Sequence, residues 1–148
     1  MQQKFLKFTI LAIIAITILS NDCAKLEFKE TEKIVSLNIP FQLKINQTAA
    51  IKNENIKIKF LKITEDSRCP LNVQCIWVGQ VTAIIEVFKN NQNLGQFNLT
   101  KQAGSDENLA IKNFDVYSIK LINVQPYPQA GQKIDVSNYT ITLFVSKI

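Results

Sequence analysis

Along most of the chain, apolar and polar residues alternate one for one. In FQLKI, Phe41, Leu43 and Ile45 fall on one side of an extended chain, with Gln42 and Lys44 on the other, and IKIKF repeats the pattern with Ile56, Ile58 and Phe60. A period of two marks a half-buried β-strand, because successive side chains of a strand point to opposite faces. After Phe60 the phase slips, and Leu61 and Ile63 take over the apolar positions, as an extra residue in a β-bulge would cause. VTAIIEVF, from Val81 to Phe88, is apolar on both faces apart from Thr82 and Glu86 and predicts a central strand. NNQNLG then supplies turn residues, and QFNLT returns as a hairpin partner. A polar loop, KQAGSDEN, follows. FDVYSIKLINV alternates through Val116 or Tyr117, Ile119 and Leu121, and PYPQAGQK interrupts it with two prolines and a glycine. The closing NYTITLFVSKI places Tyr139, Ile141, Leu143 and Val145 on one face. Beyond residue 22 no stretch of ten or more residues has helical spacing. Six to eight short strands separated by turns predict an all-β fold, an antiparallel β-sandwich, with a small β-barrel as the alternative.

The first residues break this pattern. Lys4 and Lys7 precede FTILAIIAITIL, a run from Phe8 to Leu19 with only Thr9 and Thr17 as polar members. As a helix it would rise about 18 Å, well short of the ~30 Å hydrocarbon core of a bilayer. Residues 1–22 therefore read as a secretory signal peptide. Its end, ILSNDCAK, resembles a bacterial lipoprotein signal, in which the cysteine after the apolar run is acylated and becomes the first mature residue. That residue is Cys23, although Ser20, Asn21 and Asp22 stand where such signals carry aliphatic and small residues. The competing reading is plain secretion, with cleavage after Ser20 and with Ile18 and Ser20 recognised. Residues 23–36 then form a tether in which Leu26, Phe28, Ile34 and Val35 could add an edge strand, and residues 37–148 form one β domain. Of 17 basic and 12 acidic residues, cleavage before Cys23 removes Lys4, Lys7 and Asp22, leaving 15 and 11 and a net charge of +4. The lysines are scattered on alternating strand positions and only Arg68 represents arginine, which describes a solvated sheet face rather than a nucleic-acid surface.

Uncommon residues concentrate in EDSRCPLNVQCIWVGQ, from Glu65 to Gln80, which holds Cys69, Cys75, the sole tryptophan Trp77 and the sole arginine. A redox pair is one reading, but five residues separate the cysteines instead of the two of thioredoxin-like motifs, and no βαβ pattern surrounds them. A zinc site is another, but the chain has no histidine and its third cysteine is the distant Cys23. A structural disulfide between Cys69 and Cys75 is the favoured reading, and export would make it stable. That pairing leaves Cys23 odd, which acylation accounts for. Pro70 and Asn72 suit a turn within the loop, Gly79 allows a bend, and Trp77 is expected to cover the bridge with its ring buried. Asp66, Ser67 and Arg68 are expected to satisfy the tight loop internally; Asp66, Arg68 and Trp77 are also the candidate contacts for a partner. The whole stretch is similar to a signature of an uncharacterised family of small exported bacterial proteins and lipoproteins, Asp-Ser-Arg-Cys-Pro, a short gap, Val-x-Cys and Trp-x-Gly. FQLKINQTAAI, PYP and the closing strand extend the resemblance over residues 40–146. It implies export and a compact β domain and carries no activity with it.

Without histidine, Ser-His-Asp and Cys-His catalysis and histidine-ligated metal or haem sites are excluded. No SxxK pattern and no glycine-rich phosphate loop occur. The acidic GSDEN, from Gly104 to Asn108, could hold calcium but lacks alternating aspartates and reads as a solvated turn. No cofactor, metal or catalytic residue is expected. The function expected is that of a non-enzymatic, lipid-anchored protein of the bacterial cell envelope, binding a protein or glycan partner. The alternatives are a secreted or periplasmic inhibitor using the stapled loop and, behind it, a carboxylate-dependent glycan-active enzyme.

Overall fold

The computed structural model describes residues 32–102, 104 and 107–148. The signal segment, Cys23, and Ser105 and Asp106 of the acidic loop lie outside the described residues. Among the described residues the chain forms nine strands and two short 3-10 turns, Glu107–Ala110 and Val136–Asn138. The strands are β1 (Glu32–Val35), β2 (Phe41–Lys44), β3 (Thr48–Ile51), β4 (Ile56–Asp66), β5 (Gln80–Lys89), β6 (Gln92–Gln102), β7 (Ile111–Phe114), β8 (Tyr117–Gln125) and β9 (Thr140–Lys147).

They build two sheets, β1-β3-β4-β5-β6 and β2-β9-β8-β7, antiparallel throughout except that β1 runs parallel to β3. This is the expected β-sandwich and not a closed barrel. The core lies between the inner faces, where Phe60, Leu43, Ile58, Ile85, Leu99, Ile119, Leu121, Ile141 and Leu143 are fully buried. Each alternating face read from the sequence points inward: Phe41 and Leu43, Ile56, Ile58 and Phe60, and Tyr139, Ile141, Leu143 and Val145.

Three details make the pattern-based reading more definite. The segment read as a tether ends in β1, which pairs along the edge of the larger sheet and buries Val35. The middle of that sheet is β4, and β5 is an interior strand between β4 and β6; it buries Val81, Ala83, Ile85 and Val87 on one face and Thr82 and Ile84 on the other. The phase slip in β4 is two irregularities, at Phe60/Lys62 and Ile63/Glu65. Asparagine makes most of the turns: Asn38, Asn46, Asn53, Asn55, Asn90 and Asn91 all have positive φ, which asparagine tolerates better than other non-glycine residues. Asn90 and Asn91, at φ 50° and 62°, form the two-residue hairpin turn between β5 and β6, where the mirror-image turn geometry matches strand twist.

Candidate functional site

The cysteine-bearing segment is the connection between β4 and β5. The ladder of the two strands continues into it: Ser67 N–H donates to the Gln80 carbonyl at 2.8 Å and Cys69 N–H to the Val78 carbonyl at 3.3 Å. Ser67 Oγ donates to Glu65 Oε1 and accepts the Gln80 N–H, while Gln80 Nε2 donates to Glu65 Oε2, so the outward-facing polar residues close on one another. Gly79 sits at φ 65° where the two arms cross; a Cβ there would stand 1.8 Å from the Ser67 carbonyl oxygen. Only glycine fits this approach.

Beyond this neck, Cys69 and Cys75 are disulfide-bonded, with their Cα atoms 5.9 Å apart. Inside the closed loop Val73 N–H donates to the Pro70 carbonyl, the turn that Pro70 and Asn72 foreshadow. Leu71 N–H donates to the Pro128 carbonyl, which ties the loop to the segment following β8.

Asp66 and Arg68 point the other way, into the end of the sandwich. Their side chains are each only 8% exposed and form a two-point ion pair, Arg68 Nε to Asp66 Oδ1 at 2.7 Å and Nη2 to Oδ2 at 2.6 Å. Nη1 and Nη2 also donate to the carbonyls of Val124 at 2.6 Å and Pro126 at 2.9 Å, the latter following the cis Gln125–Pro126 peptide. Tyr127 lays its ring 4.8 Å from the guanidinium carbon. Tyr139 Oη donates to Asp66 Oδ2 at 2.9 Å. Burial first, and the carboxylate it donates to second, push the Tyr139 hydroxyl up to about 12. A buried charge is tolerated only when paired and hydrogen-bonded, and both conditions are met here. Internal satisfaction is therefore where Asp66, Ser67 and Arg68 are found; neither Asp66 nor Arg68 faces a partner-accessible surface.

Trp77 overturns its expected packing. It is 80% exposed, and its neighbour Ile76 is 95% exposed. Leu71, Val73 and Val78 are exposed as well, so five of the thirteen large exposed apolar side chains among the described residues fall within Leu71 to Val78. From Cys69 to Gln80 there is no charged residue. The exposed cluster was not read from the sequence; its signal was an uncharged stretch with apolar residues but no strand alternation. The distant partners of the pair, Tyr139 on Asp66 and the carbonyls of Val124 and Pro126 on Arg68, had no local signal at all.

A second polar cluster closes the opposite end of the sandwich. Glu54 accepts from Lys147 Nζ at 2.8 Å and from Tyr117 Oη, and Lys89 pairs with Asp115. The lysine bond, then the tyrosine bond, hold the Glu54 carboxyl below the usual carboxylate range, and the bond to Glu54 raises the Tyr117 hydroxyl. Among the described residues no three His, Cys, Asp or Glu side chains gather as a metal site, and no helix is long and apolar enough to cross a membrane. Comparison with protein-family models, curated proteins and solved structures gives no match.

Proposed function

We propose that this protein is an exported, lipid-anchored binding protein of the bacterial envelope whose working surface is the stapled loop. The observation that carries the reading is the loop itself: an uncharged segment with five exposed apolar side chains, Leu71 and Val73 within the disulfide ring and Ile76, Trp77 and Val78 just after it, held to the sandwich by Arg68, Gly79 and the Leu71–Pro128 bond. Monomeric proteins rarely present apolar side chains in such a cluster, and a rigid backbone lowers the entropy lost on binding. The carboxylates nearest the loop, Glu65 and Asp66, are occupied by Ser67, Gln80, Arg68 and Tyr139, which favours a binding role over carboxylate chemistry. The same rigidity suits an inhibitor that uses the loop as a wedge, the second reading.

The lipid anchor rests on Cys23, left odd by the Cys69–Cys75 bond. Cells fed labelled palmitate should incorporate label into the wild-type chain and none into Cys23→Ser, which should leave the membrane fraction or remain unprocessed. Unchanged fractionation and size would remove the anchor. For the loop, a photoreactive residue replacing Ile76 should form adducts in cells, and one replacing Lys52 at the opposite end should not. Equal adduct formation at both positions would remove the loop from its assigned role.

A further inference from the structure

We infer that the stapled loop contacts the surface of the membrane that carries the anchor, inserting Ile76 and Trp77 among the lipid headgroups so that the sandwich stands loop-end down. The inference rests on the proposed binding role of the loop and names its partner. Its first support is direction. Glu32 is in register with Thr48, Thr48 with Lys59 and Lys59 with Glu86. Because β1 is parallel to β3 and antiparallel to β4, the step from Val35 back to Glu32 leads toward the end of the sandwich that bears the loop. Glu32, where the described chain begins, is therefore the end of β1 that points to the loop side.

Its second support is length. From the level of Glu86 to Val78, at the loop's neck, is eight residue steps, about 27 Å of strand. From Cys23 to Glu32 is nine steps, at most about 30 Å when extended. An acylated Cys23 at the bilayer thus keeps the loop within reach of the same surface, and the tether is too short to let the domain move far from it.

Its third support is chemistry. Tryptophan is enriched at the membrane interface, where its ring lies at headgroup level, and Ile76, Leu71 and Val73 provide apolar surface beside it without a charge to desolvate. The mature net charge of +4 adds attraction to anionic lipids. Since two acyl chains already make attachment stable, what the loop contributes is orientation.

Trp77 is the only tryptophan in the chain and so reports on its own surroundings. The test uses the mature chain carrying Cys23→Ser, which bears no acyl group, titrated with vesicles of phosphatidylethanolamine and phosphatidylglycerol. The Trp77 emission should move to shorter wavelength and be quenched by brominated acyl chains, and Ile76→Ser should weaken vesicle partition about tenfold. No spectral change at any lipid concentration would overturn the inference. So would a blue shift that needs only a higher protein concentration, which would mean a second copy, or photo-adducts at position 76 found exclusively on one protein. Absence of palmitate on Cys23 in cells would remove the anchor alone, because the vesicle titration is read on a chain without it.

Discussion

Arg68 brings a permanent charge to a place where 8% of its side chain meets solvent, and Asp66 is equally enclosed. Taking either charge out of water costs several kcal/mol, and the pair is stable there because the two charges bond at two points and are further met by the Tyr139 hydroxyl and two backbone carbonyls. Asp66→Asn keeps the volume and removes the charge, leaving the guanidinium buried beside a neutral amide that cannot accept at two points as a carboxylate does. The expected loss is about 3–5 kcal/mol in chemical denaturation. Replacing Asp66 and Arg68 together by apolar residues should cost less than the single change, since no orphan charge remains. A double change as costly as the sum of the single ones would show that the two side chains act independently. The i, i+2 contact of Asp66 with Arg68 is a short-range one, because alternate residues of an extended chain share a face, and the expected internal satisfaction of this stretch follows from it. The carbonyls that complete the site lie 56 and 58 residues away, and no local pattern announces them.

At the level of elements, the β4–β5 hairpin combines two fastenings of different kinds. The disulfide closes a small ring, for which restriction of the unfolded chain amounts to about 2.4 kcal/mol. The neck, made by Gly79 against Ser67 and by Arg68 against β8, holds independently of it. Replacing Cys69 and Cys75 by serine should therefore lower stability by about 2–4 kcal/mol while the far-ultraviolet circular dichroism of the sheet stays unchanged. The emission of Trp77 should also stay unchanged, because the ring is already in water. A red shift on removing the disulfide would mean that the ring packs on the bridge after all. The strands themselves were legible because the period of two is imposed by a sheet with one buried face. β1 was less so: four residues, three of them exposed, carry too little alternation to separate an edge strand from a tether.

Across the whole molecule, a polar cluster joins the two sheets at each end. Asp66 and Arg68 meet Tyr139 and the end of β8 on the loop side; Glu54 and Lys89 from the larger sheet meet Tyr117, Lys147 and Asp115 from the smaller one on the other. The raised Tyr139 makes the loop-side cluster sensitive to alkali. An unfolded tyrosine loses its proton near pH 10. The folded one holds its proton to about 12, so between these values the unfolded state binds fewer protons and stability falls as pH rises. Tyr139→Phe should be less stable than wild type at neutral pH by about 1.5–3 kcal/mol, the value of a hydrogen bond to a charged acceptor, yet lack this particular loss. The gap between their melting temperatures should narrow from pH 10 to 12; a constant gap would mean that Tyr139 ionises as it does in the unfolded chain. The sequence by itself determined the β-sandwich, its inward faces and the cysteine pair, because alternation, turn residues and short-range closure are properties of neighbouring positions. Only the tertiary structure decided which distant groups Arg68 meets inside and that Trp77 turns outward. That choice depends on which surfaces β8 and the β8–β9 connection bring to the hairpin, and those arrive from more than 50 residues away along the chain.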